Sequence, residues 1–363
     1  MSAEAPCRFL SCDWGTTAFR LRWVERHAAG QSAGGDQASI GFNWRVVREL
    51  RTDDGAKAIY TRHTEQGTGG SIADAFARVL GNAIRQLDAP EDPIPEDALV
   101  VISGMASSTV GWKELPYAEV PCGVGGEGLR VERIAAPEIL GSVRPVWMVS
   151  GLRTGGDIMR GEETELVGIL SLPELASIQD GCLVLLPGTH SKHVRVEGGR
   201  IVDFRTHMTG ELLEMLSTRS LLRVSVVWPP PPPEVDRADL WDALRDGVLR
   251  VKEAGLSRAL FQVRARSVLD RVPNGLNAWF LSGLVMGSEV LDLLRWDAHL
   301  PVVLAGGMHF MSRYQKVFEV LDAAKRLRLV PAESLLDSTV RAHAMLLAGQ
   351  LGGDWESNRK RWT

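Results

Sequence analysis

Two glycine–threonine turns and one Gly-Gly-Asp segment hold the residues of this chain best placed to do chemistry. The first turn is Asp13-Trp14-Gly15-Thr16-Thr17, with Arg20 just beyond it. A turn with a glycine and two hydroxyls offers backbone N–H and side-chain donors to an anion, and an aspartate at a strand end can hold Mg2+ directly or through water. The same letters also suit an ordinary hairpin. The second turn, LLPGTHSKHV at 185–194, repeats the design around Gly188 and Thr189. Two such hairpins could clamp a polyphosphate from both sides of a cleft, and no GxxxxGK[ST] loop is present to do that job in the other way. His190 and His193 could be read as a metal pair, but no third ligand stands nearby in the sequence. Asp157 follows Gly155 and Gly156, so its carboxylate could approach a ligand closely and accept a proton from a hydroxyl during phosphoryl transfer. The plainer alternative is that Asp157 caps the helix beginning nearby, with Glu162 and Glu163 on a solvated face.

Three further segments are weaker. Residues 103–117 (SGMASSTVGWKELPY), with Gly104, Met105, Trp112 and Tyr117, could be a sugar-binding wall or a packed loop. Gly306 and Gly307 follow a short apolar run and could let the backbone approach a flat ligand such as adenine. GVGGEG at 123–128 matches a dinucleotide fingerprint by letter, but the alternating residues after it read as a strand where that fingerprint needs a helix.

The elements that must position these residues read as two similar cycles. Apolar runs at 9–12 and 18–24 flank the first turn as strand, turn, strand, and 45–50 makes a third strand. A helical period covers 71–87, with Ser71 as its N-cap. Strands are expected at 98–102 and 147–149, and a helix at 161–170. The second cycle opens with strands at 182–186, 193–196 and 201–204. Helices follow at 210–219, 240–254 and 276–294, then a strand at 302–304 and a last helix at 338–347. Residues 28–41 read as a loop, and the five prolines at 229–233 as a stiff spacer. The repetition predicts duplicated α/β domains, 1–178 and 179–363, with a cleft between them.

The bulk properties bound the function. The chain has 363 residues, 45% of them hydrophobic, and a net charge of −4. That supports large cores and leaves no basic field for nucleic acid or an anionic membrane surface. No apolar stretch reaches the roughly 20 residues of a membrane span, and the N-terminus has no signal-peptide pattern. Four scattered cysteines give neither a disulfide framework nor a cysteine-rich zinc site, so a cytoplasmic protein is expected.

Taken in order, these segments resemble the sugar kinase, hsp70 and actin superfamily. More narrowly, DWGTTAFR (13–20), ISGMASSTVGWKELPY (102–117), DIMRGEETELVG (157–168), LPGTHSKHV (186–194), HMTGELLEMLS (207–217) and LSGLVMGSEV (281–290) are similar to the 2-dehydro-3-deoxygalactonokinase family. The resemblance implies an α/β fold of two ribonuclease H-like, actin-like ATPase domains. The first would bind sugar acid and phosphate, and the second nucleotide. It implies ATP and Mg2+, and phosphorylation of the 6-hydroxyl of 2-dehydro-3-deoxy-D-galactonate in galactose breakdown. Another sugar or aldonic acid as acceptor, or a non-catalytic sensor of the same fold, are the alternatives. By match to the pattern, Asp13 would support Mg2+, and Gly15, Thr16, Thr17 and Arg20 would face phosphates. Gly188, Thr189 and His190 would form the opposing hairpin, Gly306 and Gly307 would lie near adenine, and Asp157 would be the general base. Gly104, Met105, Trp112 and Tyr117 would belong to the acceptor side. The acceptor is a carboxylate, and Arg153 and Arg160 are the nearest cations to Asp157 in sequence. The chain departs from the family where His193 replaces a usual aromatic residue. A homo-oligomer is compatible with all of this.

Overall fold

The computed structural model describes residues 8–26, 44–66, 70–135, 144–232 and 237–351. The loop expected at 28–41 lies outside them, as does Pro233 of the proline run. In chain order the strands are β1 (Arg8–Trp14), β2 (Phe19–Arg26), β3 (Trp44–Thr52), β4 (Val100–Gly104), β5 (Ala118–Glu119), β6 (Cys122–Gly123), β7 (Val131–Ile134), β8 (Val146–Val149), β9 (Leu152–Arg153), β10 (Ile158–Met159), β11 (Gly181–Leu186), β12 (Ser191–Glu197), β13 (Arg200–His207), β14 (Val302–Leu304) and β15 (Leu327–Leu329). The helices are α1 (Ala56–Gln66), α2 (Ile72–Leu87), α3 (Glu162–Leu170), α4 (Thr209–Thr218), α5 (Ala238–Ala254), α6 (Leu256–Leu269), α7 (Asn274–Trp296), α8 (Met308–Val320), α9 (Ala332–Leu336) and α10 (Ser338–Leu351).

The chain divides into two compact units: residues up to Gln179 with 199–202 and everything from Glu333, and the intervening 180–198 with 203–332. The break after Gln179 falls next to the expected boundary. The C-terminal segment groups with the first unit, whereas the sequence reading assigned it to the second.

In the first unit the sheet order is β3-β2-β1-β4-β8-β7. Strands β1, β2 and β3 form an antiparallel meander, and β4 and β8 run parallel to β1. This is the ribonuclease H-like order, and it leaves the C-terminal ends of two adjacent parallel strands, β1 and β4, side by side. The meander forms because 9–24 alternates bulky apolar residues about a tight turn. Phe9, Leu10, Cys12, Trp14, Phe19 and Leu21 are all fully buried. Helix α2 lays Phe76, Ala77, Leu80 and Ile84 on this core. Its start is a reciprocal cap: Asp74 N donates to Ser71 Oγ at 3.2 Å, and Ser71 N donates to the Asp74 carboxylate at 2.8 Å. Residues 123–128 turn and lead into strand β7, so no dinucleotide helix follows them.

The second unit repeats the plan with β15-β14-β11-β12-β13. Strand β11 pairs antiparallel with β12 and parallel with β14, which again puts two parallel strand ends together. Buried Leu240, Leu244 and Val248 of α5 pack with Trp279, Leu281 and Val285 of α7. Trp279 Nε1 donates to the Pro231 carbonyl at 3.0 Å, fixing the middle of the proline run on this core.

Candidate active site

In the first unit, the turn after β1 is shaped before any ligand is considered. Gly15 N donates to Ala18 O at 2.8 Å and closes it. The carbonyls of Gly15 and Thr16 then accept from Ala56 N and Lys57 N, the first amides of α1, at 3.0 and 3.1 Å. Helix α1 is thereby hung from the turn, and its otherwise unpaired N-terminal donors are satisfied. Thr16 and Thr17 are left exposed.

A cavity of about 270 Å3 opens beside this turn. It is lined by Asp13, Gly15, Thr16 and Arg20 from the meander, and by Gly104 and Met105 at the end of β4. Arg160, Gly161, Glu162 and Glu165 come from the start of α3, and Leu335, Leu336, Ser338 and Thr339 from α9 and α10. Asp13 and Arg20 are direct partners across β1 and β2. Burial raises the Asp13 carboxyl above its usual range, and Arg20, Arg22 and Arg51 oppose that rise. Glu165 is pushed up to about 7 by burial, then by the nearby charges of Asp13 and Glu162. Three carboxyl groups and the hydroxyl side chains of Thr16, Ser338 and Thr339 share one cavity with two arginines. Such hard oxygen donors suit a divalent cation of the Mg2+ type, and the guanidinium groups suit an anion.

Gly104 makes the closeness of β1 and β4 workable. Its φ is +88°, and a Cβ there would lie 2.5 Å from the Trp14 carbonyl oxygen. Gly161 (φ +107°) occupies the N-cap of α3. Its N–H donates to both carboxylate oxygens of buried Glu163, at 3.0 and 2.7 Å. Asp157 is therefore not the cap of α3, and Glu163 is not on a solvated face.

Arg160 is tied into the 103–117 loop. Its Nη1 donates to Ser107 O at 2.5 Å and to Ser107 Oγ at 2.6 Å, and its Nη2 to Leu115 O at 3.2 Å. The guanidinium also stacks on Tyr117, 4.2 Å from the ring centroid. The loop is thus a packed loop whose first residues, Gly104 and Met105, reach the cavity. Trp112 is not a cavity wall: it is 5% exposed and its ring meets Trp14 edge-on at 6.4 Å. Tyr117 serves Arg160, and Thr17 and Arg153 lie outside the lining. Arg153 pairs with Glu119 on the surface.

Asp157 closes the β9–β10 hairpin. Thr154 N donates to Asp157 O at 2.9 Å, Asp157 N to Thr154 Oγ1 at 2.9 Å, and Ile158 N to the Asp157 carboxylate at 2.7 Å. Gly155 and Gly156 at its tip have open space where a Cβ would stand. Asp157 does not line the cavity, which begins three residues later at Arg160.

The second unit gathers its candidates in the same topological place, beyond the ends of β11 and β14. Gly188 N donates to Ser191 Oγ at 3.4 Å, and Glu211 N donates to Thr189 O at 3.1 Å. Gly210 lets α4 approach this turn: a Cβ on it would lie 2.5 Å from Gly188 O. Half-exposed His190 bonds Glu211 through Nε2 at 2.5 Å. A Cβ on Gly306 would meet the Pro187 ring at 2.9 Å, so Gly306 sits against the start of the second turn, while a Cβ on Gly307 would stand in open space. His193 points elsewhere, into the core, so it makes no pair with His190.

Glu162, placed with Glu163 on a solvated face by the plainer reading of the sequence, lines the cavity instead, and Glu165 and the α9–α10 junction join it there with no expectation from the sequence. The signal was MRGEETE, three carboxylates opening a helix, but acidic residues are favoured in any first helical turn.

The model of the family described as 2-keto-3-deoxy-galactonokinase matches residues 13–337. A 2-dehydro-3-deoxygalactonokinase of Escherichia coli (strain K12) is 30% identical over 86% of this chain and 90% of its own length. A Rhizobium meliloti (strain 1021) protein given the same kinase name is 29% identical over 93% of this chain and 96% of its own. The crystal structure of a Sinorhizobium meliloti protein, also so named, is 27% identical and superposes with a TM-score of 0.67, covering 94% of this chain and 98% of that one. With its glycine–threonine turns set at the ends of paired parallel strands in two ribonuclease H-like units, this chain belongs to the 2-keto-3-deoxy-galactonokinase family and is a carbohydrate kinase.

Proposed function

We propose that the enzyme transfers the γ-phosphoryl group of ATP to the 6-hydroxyl of 2-dehydro-3-deoxy-D-galactonate, as a step of galactonate catabolism. The observation that carries this reading is the first-unit cavity, where Asp13, Arg20, Arg160, Glu162 and Glu165 converge at the end of β1 and β4. Its oxygen donors fit Mg2+: Asp13, Glu162 and Glu165 would hold the ion, directly or through water. The bound ion would neutralise charge on the phosphates.

The chain's own groups carry the rest. The N–H groups and hydroxyls of Thr16 and Thr17, with the Arg20 guanidinium, face the phosphate oxygens, while Gly15 spends its N–H on closing the turn. Gly188, Thr189 and His190 form the second phosphate-binding turn, and Gly306 and Gly307 leave a flat approach for adenine. Arg160, fixed by Ser107, Leu115 and Tyr117, presents positive charge to the acceptor carboxylate. Asp157 takes the proton of the 6-hydroxyl as that oxygen bonds to the γ-phosphorus and the bond to ADP breaks. Catalysis is then mainly positioning and charge stabilisation. Among the described residues no helix is long and apolar enough to cross a membrane, and a cytoplasmic location, where ATP is at hand, is part of the proposal.

The test is coupled ADP release with Mg-ATP against 2-dehydro-3-deoxygalactonate, its gluconate epimer, galactonate, galactose and glycerol. Turnover on the first compound is expected. Turnover on another member alone would keep the kinase and replace the acceptor.

A further inference from the structure

A buried histidine in the second unit has one nitrogen with no partner. His193, on β12, is fully buried, and its Nε2 lies 2.9 Å from a carboxylate oxygen of Glu289 on α7. The other oxygen of Glu289 accepts from the Tyr314 hydroxyl at 2.5 Å. That contact occupies Nε2, and Nδ1 is the ring atom left without a hydrogen-bond partner. A buried polar atom without a partner costs stability unless something else satisfies it.

The neighbours supply what a metal ion would need. His207, at the end of β13, stacks on His193 with centroids 4.1 Å apart. His207 Nε2 lies 3.5 Å from the carboxylate of Asp292, one turn beyond Glu289 on α7. One ligand atom from each of His193, His207 and Asp292 falls within 4.8 Å of the other two. Glu289 behind His193 reproduces the carboxylate–histidine arrangement that orients metal-bound imidazoles. The groups facing this cluster are the carboxyl groups of Glu289 and Asp292, and the guanidinium of Arg205. Arg205 reaches Asp292 at 3.5 Å, but it is 43% exposed, over Trp296, and free to give way to a cation.

We propose that His193, His207 and Asp292 form a transition-metal site of the zinc class, separate from the Mg2+ donors of the first unit. Two imidazoles and one carboxylate select zinc over magnesium, and water completes the coordination. His193 is held in place by Glu289. The rings are stacked, so binding requires the half-buried His207 to turn about its side-chain bonds and bring a nitrogen to the ion. The site would tie β12 and β13 to α7, directly after the Ser191-Lys192 end of the second turn.

The experiment uses the full chain stripped with a chelator, loaded with equimolar Zn2+, dialysed, and assayed for metal content and thermal midpoint. Co2+ loading reads the coordination through its visible absorption. His193→Ala is avoided because that residue is in the core, and His207→Gln and Asp292→Asn change partly exposed residues instead. The wild type and Asp13→Asn should retain about one equivalent and show a raised midpoint, while both His207→Gln and Asp292→Asn bind at least about tenfold more weakly. Co2+ should give tetrahedral-strength bands that vanish in these two variants. No retained metal in the wild type, equal retention in all proteins, or loss confined to Asp13→Asn would each overturn the proposal.

Discussion

The hydroxyl of Ser11 and Nδ1 of His343 lie 2.9 Å apart, joining the first strand of the chain to its last helix. Both side chains are fully buried. Burial, assisted by the nearby Arg22 guanidinium, pushes His343 down to about 3. The native imidazole therefore stays neutral at pH 5, whereas in the unfolded chain, with an ordinary value near 6.5, it takes up a proton. The contribution to stability is complete above about pH 6.5 and falls as the pH drops toward 3. By pH 5 the loss is about 2 kcal/mol. Urea unfolding at pH 7 and pH 5 should show the wild type losing this increment beyond any loss in His343→Gln. Equal losses would mean that His343 protonates in the folded state.

Gly104 joins fold and site in one residue. With φ at +88° and the Trp14 carbonyl 2.5 Å from where a Cβ would stand, Gly104→Ala must strain the backbone or part β1 from β4. A stability loss of roughly 1–3 kcal/mol is expected. Gly104 also lines the cavity, so kcat/KM should fall even at temperatures where the variant is fully folded. A variant with wild-type unfolding midpoint and turnover would show that β4 has slack at this point.

How far the site could be read in advance depended on the kind of signal. The meander around Asp13 and the β11–β12 hairpin were legible because alternating apolar residues flank tight turns, a purely local pattern. Helices α1 and α6 were not, because they lack a clean apolar stripe, whereas α8 does carry one in Phe310, Met311, Tyr314, Val317 and Phe318. In α6 only Ala259 and Val263 are buried, while Phe261, Val268 and Leu269 face solvent. Ser338 and Thr339 could not be placed at a cavity with Asp13, since that juxtaposition depends on the chain returning to its first unit after more than 300 residues. Trp112 went to the core for a related reason: a tryptophan in a glycine-rich loop carries no mark of which neighbour it will pack against, and Trp14 was the neighbour.

The proposed function gives Asp157 and Glu162 different roles, which kinetics can separate. Asp157→Asn should lower kcat by about 10²–10⁴ with the KM for ATP largely kept, the signature of a lost general base. Glu162→Gln should instead raise the Mg2+ concentration needed for half-maximal rate and recover most of kcat at saturating Mg2+. Steady-state rates over a Mg2+ titration distinguish them. If Asp157→Asn turned over normally while Glu162→Gln stayed inactive at any Mg2+ level, the base would be in the cavity rather than on the hairpin.

Gly210 touches no proposed ligand, yet it sets the second turn. A Cβ at this position would lie 2.5 Å from Gly188 O and 2.7 Å from Thr189 Cα, so Gly210→Ala must displace the turn or the start of α4. Misplacement on this scale should raise the KM for ATP roughly ten- to a hundredfold while the acceptor KM stays near wild type. Equal effects on both substrates would argue against a phosphate role for Gly188 and Thr189.

Arg153 and Arg160 stand close in sequence but in different surroundings, and the acceptor KM should tell them apart. Arg153 makes an exposed pair with Glu119, the kind of contact worth roughly 0–1 kcal/mol, so Arg153→Ala should leave both KM and stability nearly unchanged. Arg160 lines the cavity while its guanidinium holds Ser107, Leu115 and the Tyr117 ring. Lysine keeps the charge but not the fork or the flat face that those contacts use. Arg160→Lys should therefore raise the acceptor KM and loosen the 103–117 loop together, seen as faster amide hydrogen exchange over that loop. A raised acceptor KM with unchanged exchange would mean that the guanidinium meets the carboxylate without holding the loop. A raised KM in Arg153→Ala instead would move carboxylate recognition out to the β9–β10 hairpin.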